Sequence, residues 1–118
     1  MIAEIIKNFQ GKRVLVLGDV MLDHYVWGEV ERISPEAPVP VLEVQKEEFR
    51  LGGAANVALN IRTLGGEPLL LGVIGKDAAA NDLIRLLTEK DIDTDGLIID
   101  SSRSTTLKTR IGAINQQI

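Results

Sequence analysis

The stretch from Arg50 to Gly75, RLGGAANVALNIRTLGGEPLLLGVIG, constrains the fold of this chain most strongly. Two adjacent glycines, Gly52 and Gly53, allow a sharp turn and a close approach of the backbone to a bound molecule. A helical pattern follows. The second pair, Gly65-Gly66, predicts that the helix ends at a glycine with a left-handed backbone conformation. An apolar run comes next. The stretch therefore predicts a glycine turn, a helix and a buried strand, which together form a ligand-binding wall.

The helix in this stretch has an apolar stripe and a polar side. Asn56 and Asn60 lie off the stripe, one turn apart. An ordinary surface position would explain Asn60, whereas a carboxamide at a helix N-terminus behind two glycines can offer both a donor and an acceptor to a polyol. We therefore predict that Asn56 contacts a ligand. The residues predicted to face the core, at helical spacing, are Ala54, Val57, Ala58, Ile61 and Leu64.

Strand-like and helical patterns alternate through much of the chain. After a short helix over residues 2–9, the run Val14–Leu17 is apolar on both faces, as in a parallel strand covered by helices. Leu69–Val73 and Leu97–Ile99 predict two more strands, with a helix between them that Asp77 caps. This alternation predicts an α/β fold with an open, Rossmann-like parallel sheet and right-handed crossovers.

Two carboxylates follow the first predicted strand. Asp19 follows it after Gly18, and Asp23 lies four residues further on. Ligands of open α/β sheets bind at the carboxyl ends of the strands, beside the predicted glycine turn. Carboxylates there are suited to accept hydrogen bonds from sugar hydroxyls, although composition alone would favour two ordinary turn aspartates.

Composition excludes several classes of function. The 118 residues carry a net charge of −4 without a Lys/Arg cluster, so we expect no nucleic-acid partner. No apolar run approaches the roughly 20 residues of a membrane-spanning helix, and the amphipathic start predicts a cytoplasmic protein that does not bind membranes. The chain has no cysteine, and His24 is its only histidine. We therefore predict no metal site and a solvated His24.

Two further segments have strand-like patterns outside the predicted parallel sheet. Residues 24–46 contain short strand-like pieces separated by prolines, which favours an edge. Tyr25 and Trp27 there are either exposed for a partner or packed beneath their own loop. Residues 105–114 alternate in polarity, with Lys108 and Arg110 on one face. Such a face is typical of an edge strand guarding against aggregation.

Several motifs support a resemblance to a known family. The run Gly52-Gly53-Ala54-Ala55-Asn56-Val57-Ala58, with six residues to Gly65 and nine more to Gly75, resembles the amino-terminal signature of the ribokinase, or phosphofructokinase B, family of sugar kinases. One branch, the heptose 7-phosphate kinases, is similar throughout the 118 residues, which correspond to about the first third of such a kinase. The motifs shared with that branch are Gly18-Asp19-Val20-Met21-Leu22-Asp23, the run ISPEAPVPV over 33–41, Thr106-Leu107-Lys108-Thr109-Arg110 and Asn115-Gln116-Gln117.

The resemblance implies an incomplete ribokinase-like fold. We expect a parallel sheet with helices on both faces, formed by a core of residues 1–23 and 47–100. A small projecting β lid would contain residues 24–46 and 101–118. The ATP-binding half would lie beyond Ile118.

The resemblance also implies a set of substrate-binding residues. They would hold a phosphorylated sugar, and the lid strands would pair with a second subunit in a homodimer. The cationic face of residues 105–114 would approach this sugar, which is the alternative to an edge strand guarding against aggregation. No catalytic residue and no metal ligand is expected in this chain. The expected substrate-binding residues are Asp19, Asp23, Gly52, Gly53, Asn56, Lys108, Arg110 and Gln116.

The implied activity is phosphate transfer from Mg-ATP to the anomeric hydroxyl of heptose 7-phosphate, in ADP-heptose synthesis for the lipopolysaccharide core. In the family the general base is an aspartate of a Gly-Ala-Gly-Asp turn, which this sequence does not contain. We therefore expect ATP and Mg²⁺ to serve the complete kinase, and the 118 residues alone to be inactive. The alternatives are a ribokinase-like kinase for another sugar and a non-catalytic module that binds sugar or self-associates.

Overall fold

The computed structural model describes residues 1–33 and 39–113 of the chain. These residues divide into two compact units. In chain order, the helices and strands are α1 (Ile2–Lys7), β1 (Arg13–Leu17), β2 (Val20–Ile33), β3 (Pro40–Gly53), α2 (Ala54–Thr63), β4 (Glu67–Ile74), α3 (Ala78–Glu89), β5 (Leu97–Ile99) and β6 (Leu107–Ala113).

The first unit, Met1–Leu22 with Leu51–Leu107, contains a three-stranded sheet in the order β1-β4-β5. Both pairings are parallel. β1 runs beside β4 from Arg13↔Glu67 to Leu17↔Leu71. The fold is therefore α/β with an open parallel sheet, as the alternation of patterns predicted.

Two helices of this unit, α2 and α3, cover one face of the sheet. The strand order advances in one direction, so right-handed crossovers place α2 and α3 on the same side. Val16, Leu70 and Ile74 are buried on that side. Among the described residues the other face stays open, so the predicted burial of β1 on both faces is wrong. The exposed apolar residues of the open face are Leu15 (58%), Leu17 (78%), Leu69 (43%), Val73 (37%) and Ile98 (63%).

Small side chains bring α2 close to the sheet. Ala54, Ala55 and Ala58 are its buried residues, whereas Val57 and Leu64 are half exposed, contrary to the predicted stripe. A Cβ at Gly18 would lie 3.2 Å from the Ala54 Cβ, so the approach leaves no room for larger residues. The helix turns its alanine face to the sheet, because larger side chains would not fit in the short distance between them.

The second helix of the sheet, α3, matches its predicted start. Asp77 caps it by accepting a 2.9 Å hydrogen bond from the Ala80 amide. Leu83 and Leu87 are fully buried on its inner face. The helix ends where the Ile92 amide returns to the Leu87 carbonyl at 2.9 Å, which satisfies a carbonyl of the last turn.

The described residues of the second unit are 23–33, 39–50 and 108–113, and they form a sheet in the order β3-β2-β6. Its strands are longer than the short pieces predicted, because β2 and β3 each continue for 14 residues. Pro40 does not interrupt β3, since it is the first residue of the strand.

The boundary between the units differs from the predicted core and lid. Residues 47–50 belong with β2 and β6, because β3 continues without a break to the glycine pair. Residues 101–107 belong with the parallel sheet, where Thr105 is bonded. Gln116 lies outside the described residues.

No helix within the described part of the chain is long and apolar enough to cross a membrane.

Candidate functional site

The junction between β1, β2 and α2 lies at the carboxyl end of the parallel sheet. The Asp19 carbonyl accepts a 2.8 Å hydrogen bond from the amide of Ala54, the first residue of α2. Gly53 precedes this bond with φ +57°, and a Cβ there would collide with the Asp19 carbonyl. Only glycine fits both constraints, so the predicted glycine turn holds the start of α2 against Asp19.

Two polar side chains at this junction are free to meet a ligand. Asp19 and Asn56 are both exposed, and Asn56 lies in the first turn of α2. No side chain caps the amino end of α2, whose first amides have no partner within the helix. A carboxylate, a carboxamide and a helix amino end can together bind a molecule rich in hydroxyl groups. Gly52 is buried beside Gly53 and supports this backbone path.

A second connection at the carboxyl end of the sheet involves Thr105, which the sequence patterns did not single out. Thr105 is buried, and its hydroxyl accepts a 2.9 Å hydrogen bond from the Gly75 amide. The Thr105 amide donates to Asp77 at 2.8 Å. These bonds tie the segment before β6 to the end of β4 and to the start of α3.

The carboxylate of Asp77 links the two segments of this connection by hydrogen bonds. Its two oxygens accept bonds from the amides of Thr105 and Ala80. These bonds, led by the one from the Thr105 amide, lower the pKa of Asp77 below its ordinary value. Asp77 therefore stays charged at neutral pH and acts as an anchor for the backbone.

The second unit has one basic face. A Cβ at Gly112 would lie 3.2 Å from the Trp27 ring, and Lys108 and Arg110 share its face by strand alternation. Among the described residues, no carboxylate forms an ion pair with either cation. We define the basic face by the side chains of Tyr25, Trp27, Lys46, Arg50, Lys108 and Arg110. The carboxylates of Asp23 and Glu48 lie on the same face, and Glu48 pairs with Arg50.

The aromatic residues of the basic face are packed against cations. The rings of Tyr25 and Trp27 stack with centroids 5.5 Å apart. Arg50 lies 4.7 Å from the Tyr25 centroid, and Lys46 lies 5.2 Å from that of Trp27. The sequence left two alternatives for these aromatic residues, free exposure or packing beneath their own loop. The structure matches neither, because the two rings stack on each other and on the cations of β3.

Asp23 lies on the same face, two residues from Tyr25. The residue is half-buried, and its Oδ1 atom is fully buried without a hydrogen-bond partner among the described residues. A buried carboxylate oxygen normally has a partner, since leaving it without one costs free energy. Such an atom is suited to accept a hydrogen bond from a ligand.

His24 lies on the opposite face and is not solvated as predicted. Its ring stacks on Phe49 with centroids 4.4 Å apart, and its side chain is 17% exposed. Nε2 lies 3.2 Å from Glu47, and Nδ1 lies 3.4 Å from the Thr109 hydroxyl. The histidine joins β2 to both neighbouring strands, which only the pairing of distant segments could show.

The predicted site residues therefore fall into separate groups. Asp19, Gly52, Gly53 and Asn56 belong to the first unit. The remaining described ones, Asp23, Lys108 and Arg110, belong to the second unit. Among the side chains that the structure describes, those of residues 1–30, 39 and 41–113, no group of three or more His, Cys, Asp or Glu could hold a metal ion.

The fold has clear counterparts among solved structures. A carbohydrate kinase from Agrobacterium tumefaciens superposes on 91% of this chain with a TM-score of 0.73, at 23% identity and over 34% of its own length. A putative ribokinase from the same organism superposes on 92% of this chain with a TM-score of 0.69, at 24% identity and over 35% of its own length, so the fold is ribokinase-like.

Sequence comparison identifies the family. The model of the pfkB family of carbohydrate kinases matches residues 12–118, and the chain belongs to that family. The chain is 56% identical over 107 residues to the bifunctional protein HldE of Helicobacter pylori (strain J99 / ATCC 700824), covering 91% of this chain and 23% of that protein. It is 46% identical over 115 residues to HldE of Sulfurimonas denitrificans, covering 98% of this chain and 24% of that protein. The chain thus spans about a quarter of the length of these curated relatives.

Proposed function

We propose that this chain is the acceptor-sugar-binding portion of a carbohydrate kinase that phosphorylates heptose 7-phosphate at its anomeric hydroxyl, in ADP-heptose synthesis for the lipopolysaccharide core. The observation that carries the proposal is the junction where Gly53 holds the start of α2 against Asp19, leaving Asp19 and Asn56 exposed. The similarity to HldE proteins supports the choice of sugar.

The proposal assigns a role to each predicted substrate-binding residue. Asp19 and Asn56 bind sugar hydroxyls at the end of the parallel sheet, where Gly52 and Gly53 allow close approach. Asp23 accepts a further hydroxyl through its unpartnered oxygen. The phosphate of the sugar is met by the cations Lys108 and Arg110, together with Gln116, which remains a prediction.

The reaction needs a donor side as well as an acceptor side. In the complete kinase the sugar hydroxyl attacks the γ-phosphorus of ATP, its proton passes to a general base, and ADP leaves. Magnesium neutralises the phosphate oxygens when it is bound. The described residues lack a carboxylate cluster for that ion, and the sequence lacks the Gly-Ala-Gly-Asp turn. We propose that these 118 residues alone bind the sugar without transferring phosphate.

The proposal includes a cytoplasmic location and a homodimer. β3 and β6 are the outer strands of the β3-β2-β6 sheet, and outer strands offer unpaired N–H and C=O groups to a second copy. Light scattering should therefore detect self-association, and a monodisperse monomer at high concentration would contradict it.

Calorimetric titration with heptose 7-phosphate, without ATP, tests the sugar site. Replacing Asp19 with alanine should weaken binding by about 10- to 100-fold, since a hydrogen bond to a charged group is worth roughly 1.5–3 kcal/mol. Replacing the neutral Asn56 should weaken it by about 2- to 10-fold, since a hydrogen bond between neutral groups is worth roughly 0.5–1.5 kcal/mol. Asn60→Ala is the matched control, because Asn60 is exposed one turn further along α2. Equal affinities for all three variants would refute the assignment.

Other functions predict different results in the same titration. A ribokinase-like kinase for another sugar would bind that sugar more tightly than heptose 7-phosphate. A non-catalytic association module would bind none of these sugars, yet would still self-associate.

A further inference from the structure

The contacts of the basic face form a continuous series. Arg50 rests on the Tyr25 ring, Tyr25 stacks on Trp27, and Lys46 rests on Trp27. Cations are attracted to aromatic faces, and a planar guanidinium also stacks on them. Each end of the aromatic pair therefore carries a positive charge in a defined place.

Arg50 is the more restrained of these two cations. Besides its ring contact, it donates a 2.9 Å hydrogen bond to Glu48, its only hydrogen-bond partner within the part of the chain that the structure describes. Its side chain nevertheless remains 54% exposed. A guanidinium has five N–H donors in a rigid fork, so most of its donors are available to an anion.

The same face carries carboxylates as well as cations: Glu48 pairs with Arg50, whereas Asp23 forms no ion pair among the described residues. Asp23 lies two residues from Tyr25, on which Arg50 rests, and its Oδ1 atom has no partner among the described residues. The Leu22 amide donates a hydrogen bond to the Thr106 carbonyl. Asp23 and Lys108 come one and two residues after these partners, so both lie at the same end of the β3-β2-β6 sheet.

A ligand that satisfies both signs must carry hydroxyl donors and an anionic group. A phosphorylated polyol has both. Among the described residues, an unphosphorylated sugar would leave Lys108 and Arg110 without an anionic partner and would leave most N–H donors of Arg50 unused. Inorganic phosphate would leave the Asp23 oxygen without a donor.

We propose that Arg50, held on Tyr25 and Glu48, is the residue of the basic face that distinguishes a phosphorylated sugar from its unphosphorylated counterpart. The inference rests on the proposed function and names a specificity residue for the same substrate. Glu48 and Tyr25 position the guanidinium, which contacts the phosphate bidentately.

The experiment compares affinities of the 118-residue protein for heptose 7-phosphate and for the same heptose without phosphate, by calorimetric titration. Arg50→Gln should weaken binding of the phosphorylated sugar by roughly 10- to 100-fold and leave the affinity for the other sugar unchanged. Arg50→Lys should recover only part of the loss, because lysine keeps the charge without the fork. Arg85→Gln is the control, since Arg85 is an exposed arginine with carboxylate partners on α3.

Each outcome decides the matter. Equal weakening for both sugars would give Arg50 a merely structural role, and unchanged affinity for both would remove it from the site; either result overturns the inference. Circular dichroism establishes that each variant is folded.

If mannose 6-phosphate binds in an Arg50-dependent manner while heptose 7-phosphate does not, the inference stands and the proposed heptose function fails. If the wild-type protein binds none of these sugars, both fail.

Discussion

Replacing Thr105 with valine tests whether the bond between the segment before β6 and the parallel sheet stabilises the fold. Thr105 is 5% exposed, and its hydroxyl accepts the hydrogen bond of the buried Gly75 amide. Valine has nearly the same shape but no acceptor. The substitution therefore leaves the packing in place and removes one hydrogen-bond partner.

The expected loss of unfolding free energy comes from the Gly75 amide, which loses its acceptor in the Thr105→Val variant. The Gly75 amide stays buried without a partner, and a buried unsatisfied donor costs about 1–3 kcal/mol. The space cannot admit water easily, because a Cβ at Gly75 would already meet the Thr105 amide nitrogen at 2.8 Å. The backbone bond from Thr105 to Asp77 is retained, so the loss should not reach the size of a core cavity.

Urea unfolding measures this cost as a shift of the midpoint at constant slope. Thr63→Val is the matched control, since the Thr63 hydroxyl is exposed and bonds to a helix carbonyl, and it should change the free energy by less than about 0.5 kcal/mol. Hydrogen exchange at the Gly75 amide should accelerate in Thr105→Val alone. The reasoning is refuted if Thr105→Val matches the control in both measurements.

The remaining predictions concern the anchor at Asp77 and the two faces of the parallel sheet. Because the pKa of Asp77 is lowered in the folded state, its contribution to stability is present above its ordinary value of 3.8 and is lost as the pH falls below it. Asp77→Asn should therefore flatten the acid limb of a plot of unfolding free energy against pH, and an unchanged limb would contradict the assigned bonds. Leu70→Ala, at a fully buried position, should cost about 2–5 kcal/mol, whereas Leu17→Ala, at a residue 78% exposed, should cost less than about 0.5 kcal/mol. A comparable loss for both, measured by urea unfolding, would mean that the open face is covered in solution.

Local signals in the sequence predicted the parts of the fold that depend on neighbours along the chain. The cap at Asp77 and the strand Leu97–Ile99 were both confirmed. The left-handed glycine predicted at the end of the helix was confirmed by Gly65, which has φ +96°. These features need only a few consecutive residues, because caps, turns and short apolar runs are formed by bonds within one segment.

The candidate site was predicted less completely. The glycine turn and the exposure of Asp19 and Asn56 follow from their spacing, and the structure has them as expected. Their contact with a sugar remains a prediction. The bond between Thr105 and Gly75, 30 residues apart, carries no local signal.

What the sequence determined by itself was the alternation of strands and helices and the family motif around Gly52 and Gly53. The tertiary structure alone decided which face of each strand is covered, and it left Leu17 exposed while burying Val16. It also placed His24 between Phe49 and Thr109 and set Arg50 upon Tyr25. The physical reason is that burial and side-chain partners depend on segments far apart in the chain, whose pairing no local pattern of residues specifies.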